Sequence, residues 1–567
     1  MAAGEGAGGA RVAVVPDPVG PSGRSQDLTE AGAVAGPPRG HADLAAEVAR
    51  REAADAPRWV WAATDEVYPW LLDRGSGRPA RCHDAKLVES LLLGREGRHG
   101  RPRSLGAAWA RLHGLPEPED APEPGADDQP VLFAADRRHL PPGVDPLAAL
   151  VEVHADQQRR TAGGEHPDRM RLLCAAESAG ALAAVEMGRD GLPWSASVHD
   201  ELLTGLLGPR PAGGARPALL GELALRIQQA LGGRPVNPDS PAQMLPAFAR
   251  AGVRLASTRS YELRGVDHPA AGLLLRYKEL SRIHAAHGWA WRESWVRDGR
   301  FHPEYVVGGV VSGRWATRGG GALQIPRLLR AAVVADPGHR LVVADAGQLE
   351  PRVLAAMSAD PGLVRAAAAG DDLYAALALD AFRGDRPRAK IGLLAAMYGQ
   401  TSGEAGQLLA VMRRRFPAAL ALVESAARTG EAGGVVRSRL GRTSPAPSAD
   451  RFLDEDADPG DGASTDRRAA RSWGRFTRNF LIQASASDWA LAMLAALRRR
   501  LAAIGPEPRL VFFQHDEVIV HAPRELAEPV RAAVEAAGDE ARRLVFGATP
   551  VRFPLQTHAV RCYAEAK

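Results

Sequence analysis

The sequence predicts an α/β fold divided among several domains, and three observations carry that expectation. At 567 residues the chain exceeds the length at which a single hydrophobic core keeps growing. Short β-like runs, Arg11 to Val15 and Arg58 to Ala63, alternate with helical patterns near its start. A continuous apolar run, His339 to Ala344, has the composition of a strand buried on both faces.

Taken in order, residues 1 to 165 combine those β-like runs with helical stretches and a connection rich in Pro and Gly at 116 to 130, the pattern of a separate α/β domain. From 166 to about 290 apolar residues recur at three- and four-residue spacing over Leu172 to Met187, Pro217 to Leu231 and Pro269 to His284, which predicts amphipathic helices. The last of these carries a basic face of Arg276, Lys278 and Arg282. Strands are expected again at Tyr305 to Val311 and His339 to Ala344. Helices follow over 359 to 445, with Pro387 near a helix start, where its missing N–H costs least. Pro445 to Asp466 is rich in Asp, Gly and Ser and is expected to be a surface loop. A final helix, Arg467 to Arg500, precedes a hairpin whose strands, Arg509 to Phe513 and Val518 to Val520, are joined through Gln514-His515-Asp516-Glu517.

Lys and Arg number 71 against 67 Asp and Glu, a net charge of +4, so anionic partners must be sought in local patches. The three cysteines, Cys82, Cys174 and Cys562, are far apart and lack metal-ligand spacing, which argues against a disulfide framework or a zinc site and for a reducing cytoplasm. The first residues show no basic run followed by an apolar core. No segment approaches the roughly 18 to 20 consecutive apolar residues of a membrane helix, so no membrane partner is expected.

Three segments carry chemistry. In Val342 to Ser358 a buried strand ends in Asp345 and a helix begins within a few residues, so a carboxylate can be held rigidly at the mouth of a strand for a hard divalent cation. Alone, such an Asp is ordinarily a helix cap or turn former. In Phe512 to Pro523 the hairpin tip brings His515, Asp516 and Glu517 together, an odd choice where Asn-Gly or Asp-Gly would make the turn. Two acidic strand ends suggest a two-metal site for in-line phosphoryl displacement. In Asp385 to Gln400 the residues Arg386, Lys390, Leu394 and Tyr398 recur at four-residue steps on one gently rotating helix face. Cations in the first turns of a helix oppose its macrodipole, a penalty that a bound phosphate chain would reverse. Solvated Arg and Lys on an amphipathic helix is the bland alternative.

In this order the three segments resemble motifs A, B and C of the family A DNA polymerases, the DNA polymerase I-like enzymes. Motif A corresponds to Asp345-Ala346-Gly347-Gln348-Leu349-Glu350-Pro351-Arg352, motif B to Arg386, Lys390, Tyr398 and Gly399, and motif C to His515-Asp516-Glu517. Ser312 to Arg327 and Arg475 to Asp488 are similar to two further family segments, so the resemblance runs from about residue 170 to the C-terminus. It implies a right-hand polymerase: thumb at 166–300, palm at 301–357 and 449–567, fingers at 358–448. An N-terminal ribonuclease H-like domain of the 3′-5′ exonuclease type would occupy 1–165.

The implied activity is template-directed extension of a primer 3′ end with dNTPs, in repair or replication, using two Mg²⁺ ions for which Mn²⁺ can substitute. The enzyme would be a monomer acting on primer-template DNA, cytoplasmic and associated with the nucleoid. By the same resemblance Asp345, Asp516, Lys390 and Glu517 are catalytic, and Asp345, Asp516 and Ala346 bind metal. Arg386, Lys390, Gln348, Glu350, Leu394, Tyr398 and Tyr374 surround the nucleotide, while Arg314, Arg475, Asn479, Gln483 and His515 meet DNA. Glu350 matches the family's sugar gate. That match weighs against single-subunit phage-type RNA polymerases, whose gate residue is small. The paired carboxylates weigh against a non-catalytic DNA-binding relative, because phosphate binding alone is hindered by them.

The chain departs from the family pattern at Leu394, where an aromatic ring is usual, at Tyr374, in place of a His, and at Pro351, in place of Leu. Residues 1–165 contain no D-x-E, and Asp156 lacks a Tyr four residues before it, although Arg81 to Gly94 resembles the second exonuclease motif with Asp84 as its carboxylate. A degenerate exonuclease kept as scaffold is therefore expected. About 165 residues leave no space for a 5′ nuclease domain, which is expected to be absent.

Overall fold

Short apolar strands satisfy their backbone hydrogen bonds only in a sheet. The computed structural model describes residues 10–121, 139–370, 372–400, 403–447 and 462–566, with side chains from 467 onward in the last stretch. Strands β1 (Arg11–Pro16), β2 (Gly23–Leu28), β3 (Arg39–His41), β4 (Arg58–Trp61) and β5 (Arg81–Asp84) form one sheet in the order β3-β2-β1-β4-β5. β1 to β3 pair antiparallel, and β4 and β5 run parallel to β1. One face packs Val12, Val14, Trp59 and Trp61 under α1 (Leu44–Ala54) and α2 (Thr64–Asp73). The other sets Ala13, Val15 and Val60 against α3 (Ala85–Arg95), α4 (Leu105–Leu112) and α5 (Pro146–Ala162). Residues 116–121 of the expected Pro- and Gly-rich connection are neither helix nor strand, and its remainder lies outside the described residues.

The helical stretch expected from 166 to about 290 divides by packing. α6 (Pro167–Asp190) lies between the N-terminal sheet and the central core, with Leu182 in the first and Leu173 and Met187 in the second. Its buried Glu186 receives Arg498 Nε at 2.9 Å, and its Glu177 receives Arg442 Nη2 at 2.6 Å, both cations coming from far along the chain. α7 (Ala196–Leu207), α8 (Ala218–Ala230), α9 (Pro241–Arg250), α10 (Ser260–Leu263), α11 (Pro269–His287) and α12 (Trp289–Trp295) instead share a core of their own around Leu207, Ile227, Phe248 and Tyr277. On α11 the expected basic face is reduced: Arg276 pairs with Glu279, and Lys278 Nζ turns to Thr258 at 2.6 and 2.7 Å.

Two-residue strands β6 (Leu192–Pro193), β7 (Val296–Arg297) and β8 (Arg300–Phe301) make a small sheet, and β9 (Tyr305–Val306) pairs with β10 (Ala316–Thr317). The strand expected over 305–311 thus ends after two residues. Gly308 turns the backbone left-handed (φ +64°), and Gly309 lies so close to Ala316 that a Cβ there would meet its methyl at 2.7 Å.

The central sheet joins β11 (His339–Ala346), β12 (Arg509–Gln514), β13 (Glu517–Pro523) and β14 (Leu555–Val560) in the order β12-β13-β11-β14, all neighbours antiparallel. One face buries Val342, Ala344, Val518 and Val520 beneath α19 (Gly462–Ile504) and α20 (Ala527–Phe546). The other buries Leu341, Val343, Phe512 and Ile519 against Trp194, Trp291 and Phe301. Between β11 and α19 run α13 (Leu349–Ser358), α14 (Pro361–Ala369), α15 (Leu373–Ala381), α16 (Arg386–Tyr398), α17 (Glu404–Arg415) and α18 (Pro417–Glu431). The loop expected at 445–466 falls largely outside the described residues, and its last five residues already belong to α19. By length and composition α19 could cross a membrane, but 89% of its most apolar 18-residue window is buried in the core.

Candidate active site

Antiparallel pairing brings the two acidic strand ends together. Asp345, next to last in β11, pairs with Glu517 on one side and Gln556 on the other. The Ala346 N–H donates to the Asp516 carbonyl at 2.9 Å, tying the end of β11 to the hairpin turn. That turn is only His515 and Asp516, and His515 sits at φ +58°, a conformation hairpins usually give to Gly or Asn. Such a residue costs on the order of 1 kcal/mol or more and persists where the surroundings over-determine it. Asp345 and Asp516 are partly exposed, whereas Glu517 is buried. The Tyr563 phenol lies beneath them, its pKa pushed up by burial and by the charges of Glu517 and Asp345. Carboxylate oxygens are the donors that Mg²⁺ and Mn²⁺ take, so the pair fits hard divalent cations. Among the described residues no group of three or more His, Cys, Asp or Glu side chains is arranged to hold a metal.

Glu350, in the first turn of α13, is gripped from two sides. Arg314 pairs with one carboxylate oxygen, and the Tyr398 hydroxyl donates to the other at 2.6 Å. Burial and this carboxylate raise the Tyr398 pKa. Arg314 also lies near enough to His515 to add to burial in lowering that imidazole's pKa. Tyr398, Glu350 and Arg314 therefore form a chain of contacts from the end of α16, and the charge of Arg314 is felt at the hairpin turn.

Asp372, which the motif comparison passed over, organises the next cluster. It caps α15, accepts Gln348 Nε2 at 2.9 Å and accepts Arg386 Nε at 2.7 Å. Gln348 Oε1 in turn accepts the Leu373 N–H at 2.7 Å. Burial alone would raise the Asp372 pKa, but these hydrogen bonds hold it below the ordinary carboxylate value. The Arg386 guanidinium also lies 5.7 Å from the centre of the Tyr374 ring. An Asp one residue before a helical run is a cap signal; its second task depends on tertiary contacts that spacing does not show. Arg352 was likewise unassigned. It is fully buried and donates to the carbonyls of Gly347, Ala367, Gly370 and Arg552, bracing the loop after Asp345.

On α16, Asp385 caps the helix by accepting the Arg388 N–H at 2.9 Å, and Gly399 closes it left-handed at φ +71°. Ala389, Gly392, Leu393 and Met397 are buried, leaving Arg386 and Lys390 exposed and Leu394 and Tyr398 partly so. The four-residue row is thus the open face. α19 shows a matching row: Arg475 is exposed and Asn479 and Gln483 partly exposed, while Thr477, Arg478, Phe480 and Ile482 are buried. Arg478 Nη1 donates to the Ala396 carbonyl at 3.2 Å, so the start of this row stands beside the end of α16.

Asp84 has a different environment. It is the N-cap of α3 and 2% exposed, with Oδ1 accepting the Leu87 N–H at 2.8 Å and Oδ2 the Thr64 N–H at 2.7 Å. Asp156 pairs with Arg159 and Arg160.

An antiparallel sheet with two adjoining acidic strand ends thus stands near a helix bearing an open Arg-Lys face. The model of DNA polymerase family A matches residues 218–558, and the chain belongs to that family. It is 29% identical over 351 residues to DNA polymerase I of Chloroflexus aurantiacus, covering 55% of this chain and 36% of that one. It is 26% identical over 523 residues to the thermostable DNA polymerase I of Thermus aquaticus, covering 79% and 59%. The chain therefore spans only part of the length of these relatives. Its fold matches, with a TM-score of 0.72 at 19% identity over 98% of this chain and 96% of the other, the POL domain of Pol1 from M. smegmatis, solved in complex with DNA primer-template and dNTP.

Proposed function

We propose that this chain is a template-directed DNA polymerase that extends a primer 3′ end with dNTPs. The observation that carries the reading is the meeting of Asp345 and Asp516 at adjoining strand ends, linked through Glu350 to the open face of α16. Asp345, Asp516 and Ala346 would hold two Mg²⁺ ions, with Mn²⁺ as a substitute, the remaining ligands being phosphate and water oxygens. When bound, such a pair would activate the attacking hydroxyl and stabilise the leaving oxygen.

The chain's own groups orient the substrates. Arg386 and Lys390 offer their charge to the triphosphate, and Lys390 can hold a proton for the departing pyrophosphate. Gln348 and Tyr374 set the position of Arg386 through Asp372 and the aromatic ring. Glu350, fixed between Arg314 and Tyr398, is the sugar gate, and Glu517 supports the metal carboxylates. Arg314, Arg475, Asn479, Gln483 and His515 face the primer and template, where donors can check pair shape through minor-groove acceptors common to all base pairs. The domain reading follows: thumb 166–300, palm 301–357 and 449–567, fingers 358–448. We place α6 at the joint between thumb, palm and the N-terminal domain because of its packing. The enzyme would act as a monomer on chromosomal DNA in the cytoplasm, in repair or replication.

The N-terminal domain is proposed to be a ribonuclease H-like exonuclease module without activity. Its β3-β2-β1-β4-β5 order supports the fold, and the occupation of both Asp84 oxygens by backbone N–H groups supports the loss of metal binding.

Primer extension on a defined template with Mg²⁺, using either dNTPs or NTPs, tests the function: extension with dNTPs is expected, and extension with NTPs alone would shift the assignment to RNA synthesis. Leu394 offers no ring to the incoming sugar, so dideoxynucleotides are expected to be incorporated poorly; termination at parity with dNTPs would contradict this.

A further inference from the structure

The sheet of the N-terminal domain begins with a row of like charges. Its register sets Arg11 beside Arg58 and Arg58 beside Arg81, at the starts of three neighbouring parallel strands. Like charges in line across neighbouring strands repel. Among the described residues none of the three forms an ion pair: Arg58 donates to the Cys82 carbonyl at 3.0 Å, Arg81 to the Ala56 carbonyl at 3.1 Å, and Arg11 Nη1 reaches His154 Nε2 at 3.2 Å. Burial lowers the pKa of Arg58 and that of Arg11, the latter to about 10, with Glu30 working against the shift in Arg11.

A cavity of about 210 Å³ opens beside this row, lined by Arg11, Arg58, His83, Thr161, Arg171 and Glu30 among others. Glu30 is exposed at its rim, and Arg171 is paired with Asp168 on α6. His83 is neutral, since burial pushes its pKa down to about 3 and its Nε2 meets Gln157 Oε1 at 2.8 Å. Cys82 and Cys174 also line it and stay protonated, because burial raises both thiols. The cavity thus sets Arg11 and Arg58 against one rim carboxylate, with Arg81 next to Arg58 on the neighbouring strand.

We propose that this cavity binds a small phosphate oxyanion, orthophosphate or pyrophosphate, on the guanidinium groups of Arg11 and Arg58. Guanidinium suits phosphate because its planar fork can donate two hydrogen bonds at once. Partly buried cations without counter-ions are destabilising, and a multivalent anion relieves both their desolvation and their mutual repulsion. The volume is below the roughly 300 to 1,000 Å³ of sites for drug-sized ligands, which favours a few heavy atoms over a nucleotide. Asp84, the last residue of β5, is not among the cavity's lining residues, and neither is any residue of the proposed polymerase centre.

The test is calorimetric titration of the full chain without divalent cations, using orthophosphate in one arm and pyrophosphate in the other at constant ionic strength. An Arg386→Ala, Lys390→Ala background removes the phosphate grip of the polymerase centre. Saturable binding of at least one anion is expected, weakened about tenfold or more by Arg58→Gln, and the tighter arm identifies the ligand. Primer extension by the Arg58→Gln single variant should match the parent. No saturable binding, or binding undiminished in Arg58→Gln, overturns the proposal. If Arg58→Gln does not fold, Arg11→Gln serves the same arm. On the parent chain alone, Tm should rise in phosphate over chloride of equal ionic strength; equal Tm values would overturn the proposal without any variant.

Discussion

Asp84 and Asp345 both close an apolar strand that leads into a helix, yet they meet different fates. After Asp84 the helix begins at the next residue, so the carboxylate lies against the unsatisfied first-turn N–H groups and caps them. After Asp345 the helix is delayed to Leu349, and its N-cap is Gln348, left-handed at φ +60° with no side-chain cap bond. That three-residue delay carries Asp345 past the cap position and leaves it partly exposed beside the turn that presents Asp516. A carboxylate at a strand end is thus spent as a cap or left open to a ligand according to where the next helix starts.

The largest effect that would break this comparison is on chemistry. Asp516→Ala should reduce primer extension by about a thousandfold or more, on the scale of about 4 kcal/mol of transition-state stabilisation, with circular dichroism and Tm near those of the parent. A variant retaining a tenth of the activity would remove Asp516 from the metal site. Asp84→Ala should do the reverse. It strands the buried N–H groups of Thr64 and Leu87, lowering stability by about 2 to 4 kcal/mol in urea unfolding. Neither parent nor variant should degrade a mismatched primer end; degradation by the parent that Asp84→Ala abolishes would make Asp84 a ligand after all.

Most of this contrast was legible before the structure. The strands ending at Asp345 and flanking Asp516, and the four-residue row of α16, follow from periodicity, because the open face of an amphipathic helix is written in its spacing. Asp84 stands out in the sequence only through the resemblance of Arg81 to Gly94 to the second exonuclease motif, and spacing alone does not show that its second oxygen meets Thr64, 20 residues away. The strand at Tyr305 was overextended because the run Val306, Val307, Val310, Val311 outweighed two glycines whose close approach to Ala316 is a tertiary fact. Helical periodicity predicts α6 as a helix and says that a face is apolar, but not that the N-terminal sheet and the central core cover it. Arg442, only 7% exposed between Glu177 and Asp488, is hidden for the same reason.

Asp372 sharpens the comparison from within the proposed polymerase centre, since it is a cap that also holds Arg386, the proposed triphosphate ligand. Asp372→Asn keeps the cap acceptor but loses the charge that holds Arg386 Nε at 2.7 Å. Steady-state extension should show the KM for dNTPs rising about tenfold with kcat changed less, the mark of a lost ground-state orientation. An unchanged KM would mean that Arg386 finds its place without Asp372.

The most gradual effect concerns acid. His83 and His154 are buried in the N-terminal domain, with ring centres 4.7 Å apart, and burial lowers their pKa values to about 3 and about 2. Unfolded, each would titrate near 6.5. Below that pH the unfolded chain takes up protons that the folded chain refuses, so the stability each contributes is complete above about 6.5 and is lost as pH falls toward the folded pKa. The slope is at most about 1.4 kcal/mol per pH unit for each histidine. Asp488 works in the opposite sense: burial raises its pKa to about 6, so the folded chain holds a proton that the unfolded chain releases near 3.9, offsetting part of one histidine between about 4 and 6. His83→Leu should therefore flatten the fall in unfolding free energy between pH 6.5 and 4 by about one histidine's share, read from urea curves at successive pH values. Parallel curves for variant and parent would mean that His83 takes up its proton in the folded chain, and that the buried edge of this domain is less dry than its packing makes it.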